Sequence, residues 1–266
     1  MEKDIHNRKN NVILLIKKWV HNHRQAKNPM IRIIVNLAYA ISNTKNVLFN
    51  KQCRDLFLIK LFKSERIHQT TPVTGYNRYP VIFNACRNYF EGNGTIKILS
   101  FGCSTGEEVV TLRHYFPDAT IIGAEINKSS LESCKNRKLD DKITFINSTD
   151  GNIKENGPYD AIFCMAVFQR TPQMVKERGL KSLKRIYPFE KFNKQIQKLD
   201  ASLKDEGLMI VHFSQYDFMD TDVASTYDIL GDYNQDLYSF NSAIFDKNSQ
   251  LITNKQRRYS NFVKRH

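Results

Sequence analysis

KILSFGCSTGEE, residues 97–108, is the stretch of sequence that decides the fold. It consists of a short apolar run, a turn of small residues and two carboxylates where a helix is expected to begin. After that helix, a second apolar run, Thr120–Ala124, leads to Glu125. A strand, a glycine turn, a helix, a second strand and an acid in this order predict half of a nucleotide-binding α/β fold.

The spacing and the charge of this turn argue against a dinucleotide ligand. Counted from Gly102, the third and sixth positions of the dinucleotide fingerprint are Ser104 and Glu107 rather than glycine. Glu107 and Glu108 also occupy the helix end where a pyrophosphate would bind, and a carboxylate about 5 Å from a phosphate costs roughly 3 kcal/mol. A P-loop is excluded because the chain contains no Gly-Lys-Ser or Gly-Lys-Thr. The turn favours an adenosine that bears positive charge, and S-adenosylmethionine is such a ligand.

Further apolar runs continue the alternation of strands and helices. Five of them are expected to be the remaining strands, the last two as a terminal hairpin: Ile143–Asn147, Tyr159–Met165, Leu208–Phe213, Ser242–Phe245 and Tyr259–Val263. Helical patterns are Glu107–Tyr115, Ser129–Lys138 and Phe189–Leu203, and Gly207 is expected to stop the helix before the fifth strand. We therefore predict an α/β fold with a doubly wound, mostly parallel seven-stranded sheet and a C-terminal antiparallel hairpin.

Four candidate ligand-binding positions follow successive predicted strands. Ligands of such sheets bind outside the carboxyl ends of the strands, and Gly102, Glu125, Asp150 and Ala166 all fall at that edge. A carboxylate at Glu125 can accept hydrogen bonds from both ribose hydroxyls. Thr149 and Asp150 could reach an adenine amine, although such residues also simply form turns.

On these residues the chain resembles the class I S-adenosylmethionine-dependent methyltransferases, and among them the chemotaxis receptor glutamate methyltransferase branch. GCSTGEE (Gly102–Glu108) is similar to that branch's GCATGEE, and GPYDAIFC (Gly157–Cys164) is similar to its fourth-strand motif. TGYNR (Thr74–Arg78) resembles its TxFxR segment, which closes over the cofactor. The resemblance covers residues 72–215. It implies a Rossmann-like methyltransferase fold and S-adenosyl-L-methionine as the cofactor.

The same resemblance implies roles for individual residues. Thr74 and Arg78 would contact the methionine part of the cofactor, with Arg78 at its carboxylate. Glu107 would hold the ammonium and Glu125 the ribose. The full set of cofactor-binding residues implied in this way is Thr74, Arg78, Gly102, Cys103, Ser104, Gly106, Glu107, Glu125, Ile126, Thr149, Asp150, Met165 and Ala166. Of these, Thr149 and Asp150 would lie on the adenine side and Met165 and Ala166 beside the ring.

The chain departs from the family pattern at two places. Ser100 stands where most class I enzymes have an acid, although the chemotaxis branch accepts serine there. Met165-Ala166 replaces the Arg-Asn pair of that branch, whose small receptor-docking β-subdomain has no counterpart here. The cofactor assignment therefore transfers better than the substrate, and we do not infer a role in chemotaxis.

The distribution of charge suggests a division of the chain and bears on the acceptor. Residues 1–70 hold 14 Lys plus Arg against 4 Asp plus Glu, a net charge of +10, whereas residues 205–246 hold nine acids and neither Lys nor Arg. We predict a basic helical N-terminal segment over 1–70, acting as a cap or lid, and a methyltransferase domain over 71–266. A small-molecule or protein side-chain acceptor is expected. The alternatives are a nucleic-acid methyltransferase that uses the basic arm, and a non-catalytic binding module.

Composition also sets expectations for metal, redox and membrane chemistry. The five cysteines are scattered without a Cys-x-x-Cys pattern, which is typical of a reducing, cytoplasmic location. The seven histidines show no ligand spacing on a common face, so we expect no metal site. Neither a signal peptide nor a transmembrane segment is evident in the sequence.

The catalytic residues are left unknown by the sequence. Methyl transfer to a carboxylate needs no base, whereas an amine or a hydroxyl acceptor needs a proton acceptor. His212 and Tyr216, near the end of the predicted fifth strand, are weak candidates for that base. Gln169 and Arg170, after the fourth strand, could orient an acceptor or simply cap the following turn.

Overall fold

The computed structural model describes residues 18–19, 23, 28, 30–31, 33–35, 38, 51–62, 64–69, 74–170, 172–232, 243–253 and 258–266. Contacts divide the chain into two compact units, Met1–Phe57 and Leu58–His266. Much of the basic segment predicted over 1–70 lies outside the described residues, and its boundary remains a prediction. The second unit contains the sheet.

Seven strands form one sheet in the order β3-β2-β1-β4-β5-β7-β6. Strands β1 to β5 pair in parallel, and β7 pairs antiparallel with both β5 and β6. The strands are β1 Lys97–Phe101, β2 Thr120–Glu125, β3 Ile143–Asn147, β4 Tyr159–Met165, β5 Leu203–His212, β6 Tyr227–Ile229 and β7 Asn261–Lys264. This confirms the predicted fold class, a doubly wound and mostly parallel sheet with a C-terminal antiparallel pair.

The described helices alternate with the parallel strands. They are α1 Lys51–Phe62, α2 Pro80–Tyr89, α3 Glu107–Tyr115, α4 Lys128–Lys135, α5 Asp150–Glu155, α6 Pro172–Glu177 and α7 Phe189–Asp200. Two of them begin at residues that cap the first turn, because the side chain of Asn127 accepts from Ser130 N and that of Thr149 accepts from Asn152 N. Each such cap stabilises a helix by about 1 kcal/mol.

The core lies on both faces of the sheet. Strand β4 is buried along almost its whole length, as a strand covered on both faces must be. One face packs against α7, whose apolar side chains recur at helical spacing and are buried. The other face packs against α2 and α3. Gly123 in β2 leaves no room for a side chain, because a Cβ there would lie 2.6 Å from Phe145 Cδ1.

Two details of the predicted boundary between α7 and β5 are wrong. The helix predicted over Phe189–Leu203 ends at Asp200, and β5 begins at Leu203 rather than after Gly207. Exposed residues 204–206 bulge out of β5 where its register with β4 shifts, so Gly207 lies within the strand and does not stop a helix. The terminal antiparallel pair is formed by β6 and β7.

The segment predicted as the first strand of that hairpin has another role. Phe245 makes an isolated bridge with Leu251, and Ser242 lies outside the described residues. Strand β6 has only three residues, Tyr227–Ile229, of which two are exposed. Such a short strand with an exposed acid carries no apolar run, which is why the sequence pattern does not reveal it. Within the described residues, no helix combines the length and the apolar character that crossing a membrane requires.

Candidate functional site

The sheet reverses its strand order between β1 and β4. From β1 the chain proceeds to β2 on one side, whereas β4 lies on the other side. A crevice forms outside the carboxyl ends of the strands at such a reversal, and ligands of open α/β sheets bind there. The glycine turn that follows β1 and the residues that follow β4 meet at this point, because Gly102 approaches Val167.

The backbone conformation of the glycine turn depends on its glycine residues. Gly102 has a φ of 78° and donates from its N–H to the Ala124 carbonyl at 2.8 Å. A Cβ at Gly102 would lie 2.7 Å from Val167 Cγ2, so only glycine fits between β1 and the residues after β4. Ser104 and Gly106 also have positive φ, of 52° and 94°. The turn therefore follows a tight path that brings its N–H groups toward the end of β2.

Glu125 accepts two of these neighbouring N–H groups. Its Oε2 accepts from Ser104 N at 2.8 Å and its Oε1 accepts from Asn127 N at 2.7 Å. The side chain is buried, and burial raises its pKa, while the N–H groups of Asn127, Ser104 and Ile126 oppose that rise. Each carboxylate oxygen keeps a second lone pair for another donor. The carboxylate is thus fixed at the end of β2 beside the glycine turn.

Glu108 is the second buried acid of the site. Ser100 Oγ donates to its Oε1 at 2.7 Å, so the serine that replaces the usual acid in β1 holds an acid from α3 instead. Burial raises the pKa of Glu108 to about 7, while the Ser100 hydrogen bond and the charge of Arg78 oppose the rise. Arg78 is partly buried and lies over the ring of Tyr79, 5.2 Å from the ring centroid. Arg78 therefore lies near enough to Glu108 for its charge to affect that carboxyl.

Glu107, in contrast, is engaged by other residues of the chain. It pairs with Arg137 and accepts from Thr105 Oγ1 at 2.7 Å. Arg137 also donates to the Thr105 carbonyl and to Tyr76 Oη. The structure thus separates the two acids at the start of α3, because Glu107 is neutralised by a salt bridge and Glu108 is buried.

The polar residues after β3 are also engaged within the protein. Thr149 uses its hydroxyl to cap α5. Asp150 pairs with Lys198 of α7 at 2.6 Å, and its side chain is half exposed. Asp150 and Lys198 both line a cavity of about 280 Å³ between α5 and α7. Ser148, just before them, has its carbonyl bound by Arg66 at 3.0 Å.

The end of β4 contains a strained residue. Ala166 has a φ of 59°, which is uncommon for a residue with a side chain. Its N–H donates to the His212 carbonyl at 2.9 Å, and its carbonyl accepts from Gln169 Nε2 at 3.1 Å and from Gln69 Nε2 at 3.4 Å. Met165, next to it, is buried. Strain of this kind is found at functional sites, where the surroundings hold it in place.

Neither candidate base has a pKa suited to taking a proton at neutral pH. Burial lowers the pKa of His212 to about 3, assisted by the charges of Arg258 and Arg78. Burial raises the pKa of Tyr216 to about 12, and its hydroxyl donates to the Tyr187 carbonyl. His212 therefore remains neutral and weakly basic, and Tyr216 keeps its proton.

Sequence reasoning missed one part of the site, which we call the cover segment, residues 66–69. Ile67 accepts at its carbonyl from Arg170 Nη2 at 2.8 Å and from Lys191 Nζ at 2.6 Å. His68 is buried against aromatic rings and its Nδ1 lies 2.9 Å from Tyr187 Oη. Together with the contacts of Arg66 and Gln69, these bonds hold the segment across the carboxyl ends of β3 and β4. The sequence of residues 66–69 has no local pattern that predicts contacts with partners about a hundred residues away along the chain.

The structure brings together some of the residues predicted to bind the cofactor, namely those of the glycine turn, Glu125 and Ile126. Thr74 and Arg78 lie in the partly buried segment before α2. Cys103 is buried in the turn itself. Asp150 is held by Lys198, as described above. Among the described residues, no group of three His, Cys, Asp or Glu side chains is placed to bind a metal ion.

The middle of the chain matches a known protein family. Residues 98–188 match the family model described as "Methyltransferase domain". This range begins in β1, includes Glu125 and the residues after β4, and ends before α7. No curated protein sequence matches the chain.

Several solved structures are similar to the chain. The plantazolicin methyltransferase BpumL in complex with SAH is 16% identical, with a TM-score of 0.38 over 68% of this chain and 61% of that chain. The amino pentose methyltransferase CalS10 from Micromonospora echinaspora, with SAM bound, is 13% identical, with a TM-score of 0.38 over 57% and 54%. A S-adenosylmethionine-dependent methyltransferase from Clostridium acetobutylicum is 16% identical, with a TM-score of 0.36 over 58% and 53%. The chain thus spans between half and two thirds of the length of each.

The family match and the strand order of the chain itself agree. The matched range supplies β1 to β4 of the sheet, the glycine turn and the two buried acids. Residues 98–188 of the chain are therefore similar to methyltransferase domains.

Proposed function

We propose that the chain is an S-adenosylmethionine-dependent methyltransferase that transfers a methyl group to a small molecule or a protein side chain. One observation carries the proposal. Glu125 is a buried carboxylate at the end of β2 that is oriented by the N–H groups of Ser104 and Asn127. A carboxylate offers about four acceptor positions, and those that the N–H groups leave open suit the hydroxyls of a ribose.

The burial of Glu125 is explained better by ligand binding than by a contribution to the stability of the fold. Its raised pKa means that the folded chain without ligand holds the carboxylate at a cost. Two hydroxyl donors would favour the ionised form and offset that cost. A titratable group whose pKa is shifted by burial in a crevice is a candidate for ligand binding for this reason.

For the methionine part of the cofactor, we infer that Arg78 binds the carboxylate and that Glu108 binds the ammonium. The resemblance suggested Glu107 for the ammonium, but the salt bridge with Arg137 already neutralises that side chain. Glu108 is buried, lies near Arg78 and has no cation bonded to it among the described residues. An ammonium beside it would lower its pKa and keep it ionised at neutral pH.

The remaining cofactor assignments are proposals that the geometry allows to different degrees. Met165 and Ala166 lie next to the glycine turn, because Val167 contacts Gly102. Thr149 and Asp150 follow β3 on the adenine side, yet Asp150 would have to share its carboxylate with Lys198. We therefore expect Asp150 to contribute less to cofactor affinity than Glu125 does.

The cofactor supplies a methyl group on a sulfonium, and the sulfur leaves with the bonding electron pair when the acceptor attacks in line. Alignment of the acceptor contributes about 7–11 kcal/mol to such a reaction. We propose that Gln169 and Arg170, which follow β4, help to align it. Gln169 Oε1 and Arg170 Nε are both buried without a hydrogen-bond partner in the described part of the chain. Since His212 and Tyr216 are poor bases at neutral pH, a reacting atom without a proton to lose, such as a carboxylate oxygen, is favoured.

The finer assignments rest on the sequence motifs. The three motifs shared with the chemotaxis receptor glutamate methyltransferase branch agree with a carboxylate acceptor, and we propose that branch as the nearest in chemistry. Asp217, Asp220 and Asp222 follow β5 and would repel a nucleic-acid backbone, which favours a small molecule or a protein. Cys86, Cys103, Cys134 and Cys164 are unpaired, which supports the cytoplasm as the location.

Calorimetric titration with S-adenosylhomocysteine tests the proposal. Wild type should bind, and Glu125→Ala should bind at least about a hundredfold more weakly, since it loses two charge-assisted hydrogen bonds of about 1.5–3 kcal/mol each. Asp118→Asn is the matched control, because Asp118 is an exposed acid just before the other end of the same strand. Equal affinity of Glu125→Ala and Asp118→Asn would remove the ribose assignment and with it the main support for the cofactor.

A further inference from the structure

The first of the two compact units, which we call the N-terminal unit, contains a helical stretch with apolar side chains on two faces. The described residues with helical backbone in this stretch are 30–31, 33–35 and 38. Asn28 caps the first turn, since its Oδ1 accepts from Met30 N at 2.9 Å. Ile31, Val35 and Ala38 follow the spacing of one helix face and are buried or partly buried. This face is the one that the fold covers.

A second face of the same stretch carries three large apolar side chains that water reaches. Met30, Ile33 and Ile34 are 68%, 55% and 51% exposed, and we call these three residues the exposed stripe. Their spacing of three and four residues places them side by side on the helix surface. Adjacent exposed apolar side chains indicate a surface that binds a partner, whereas singly scattered ones do not.

The unit that carries the exposed stripe is strongly basic. Residues 1–57 hold 11 Lys plus Arg against 3 Asp plus Glu, a net charge of +8, whereas the 209 residues that follow hold 29 against 24, a net charge of +5. The exposed Lys18 lies next to Trp19, which is 41% exposed. Basic residues together with an exposed tryptophan are typical of surfaces at the boundary between water and lipid.

The charge of the unit decides between the possible partners of the stripe. Two copies of the unit would bring two strongly positive surfaces together, and their repulsion opposes association through the stripe. A nucleic acid would match the charge, but unpaired bases bind by stacking on aromatic rings, and methionine and isoleucine cannot stack. A lipid surface with anionic headgroups matches both properties, because the headgroups attract the cations and the acyl boundary accepts the apolar side chains.

We propose that the N-terminal unit binds the surface of membranes that contain anionic lipids, with the exposed stripe inserted into the headgroup region. Neither property suffices alone, since three side chains contribute a modest apolar area and the attraction between the cations and the headgroups adds to it. The proposal goes beyond the methyltransferase function and does not depend on it. It assigns a membrane surface as a binding partner and leaves the methyl acceptor as proposed above.

Co-sedimentation of the full-length protein with lipid vesicles tests the proposal. Vesicles of phosphatidylcholine and phosphatidylserine in a three-to-one ratio are compared with vesicles of phosphatidylcholine alone. The protein should bind the mixed vesicles at least about tenfold more tightly, and this preference should decrease as added salt screens the charges. Equal binding to the two kinds of vesicle, or no binding to either, would overturn the proposal.

Variants of the exposed stripe sharpen the result. Ile33→Gln/Ile34→Gln removes apolar surface without changing the charge, so it should bind the mixed vesicles about tenfold more weakly than wild type. The matched control is Ile186→Gln/Ile229→Gln, which changes two isoleucines of the other unit that are each 41% exposed. The control should bind as tightly as wild type. Equal affinity of the two double variants would contradict the role of the stripe.

The fluorescence of the wild-type protein provides a readout that needs no variant. Because Trp19 is the only tryptophan of the chain, its emission reports on the N-terminal unit alone. On mixed vesicles this emission should shift to shorter wavelengths, and phosphatidylcholine brominated on its acyl chains should quench it. Vesicle binding that leaves the emission of Trp19 unchanged would assign the contact to another part of the chain and overturn the proposal.

Two other outcomes would assign the stripe to a different partner and would also overturn the proposal. A second copy of the chain would give a dimer in sedimentation velocity that Ile33→Gln/Ile34→Gln dissociates in the absence of vesicles. A nucleic acid would give binding of a single-stranded RNA oligonucleotide that the same variant weakens, without binding of vesicles.

Discussion

The two halves of the crevice differ in the sign of the charges that they bury. Around the ends of β1 and β2, the fully buried charged groups are the acids Glu108 and Glu125, with the partly buried Arg78 near Glu108. Around the residues after β4, the partly buried groups are the cations Arg170 and Lys191, next to neutral His68. In the proposed function, the first half would bind the ammonium and the ribose hydroxyls of the cofactor.

This division has a cost for the folded chain without ligands. The acids have raised pKa values, and the histidine and the lysine have lowered ones, so each group is destabilised in its charged form. Such an arrangement is typical of sites that gain their compensation from a ligand. The two halves should therefore respond to pH in opposite directions, and this contrast can be measured.

The largest expected effect is the pH dependence of stability that the two buried histidines cause. Burial lowers the pKa of His68 and of His212 to about 3, so the unfolded chain binds more protons than the folded chain between pH 6.5 and 3. The free energy of unfolding therefore has its full value above pH 6.5. It decreases as the pH is lowered through that window, by up to about 5 kcal/mol for each histidine. His68→Gln should retain stability to lower pH, as measured by denaturant unfolding between pH 7 and 4.

The control for that measurement is His114→Gln, since His114 is exposed on α3. Its unfolding curve should fall with pH as steeply as that of wild type. A wild-type free energy of unfolding that stays constant between pH 6.5 and 4 would show that the buried histidines titrate normally.

Glu108 should show the opposite dependence, with a smaller amplitude. Its pKa is raised from 4.5 to about 7, so the folded chain binds more protons than the unfolded chain between these values. The stability it contributes is fully present below pH 4.5 and is lost as the pH rises through 7. Glu108→Gln should be more stable than wild type at pH 8, by up to about 3 kcal/mol, and equally stable at pH 4.

The same variant should lose cofactor affinity. Glu108→Gln should bind S-adenosylhomocysteine about tenfold more weakly at pH 8, while the exposed Glu91→Gln should match wild type in both measurements. A Glu108→Gln protein that is less stable than wild type at pH 8 would contradict the assignment of Glu108 as a destabilising, ligand-binding acid.

The glycine turn should show the smallest of these effects. Gly102→Ala places a Cβ 2.7 Å from Val167 Cγ2 at a φ of 78°, so we expect a loss of about 2 kcal/mol in unfolding free energy. Gly151→Ala is the matched control, because nothing lies within 4 Å of its Cβ and alanine favours helix α5. Gly151→Ala should be about 0.5–1 kcal/mol more stable than wild type.

A double variant distinguishes overlap from backbone strain. Val167→Ala removes the two atoms nearest to the new Cβ, so the Gly102→Ala/Val167→Ala protein should recover part of the loss that additivity would predict. Strict additivity of the two single changes would show that Val167 does not restrict the turn.

Much of the fold follows from the sequence, because its central strands are continuous apolar runs. Strand β4 is buried on both faces and carries one such run, and the prediction of Tyr159–Met165 matches it. Strand β6 and the bulge before Gly207 were missed, since three residues with two exposed side chains and a polar insertion give no periodic signal. Local patterns reveal buried strands and fail where pairing depends on distant partners.

The candidate site, like the fold, could be predicted from the sequence only in part. The predicted juxtaposition of Gly102 and Glu125 follows from the topology, which places the ends of β1 and β2 together. Which of two adjacent acids is buried depends on the first turn of α3 and on Arg137, a residue that follows α4. The cover segment is held by contacts with Arg170, which follows β4, and with Lys191 of α7, and no feature of residues 66–69 themselves predicts these contacts.

The central claim is that the glycine turn and its buried acids select an adenosine with positive charge over one with phosphates. Since Arg137 neutralises Glu107, this selection depends on Glu108 and Glu125. Titration calorimetry of the wild-type protein with S-adenosylhomocysteine, ATP and NAD tests it most directly. We predict binding of S-adenosylhomocysteine, displacement by S-adenosylmethionine and no measurable binding of the two phosphate-bearing ligands. Binding of ATP or NAD that S-adenosylmethionine does not displace would contradict the claim.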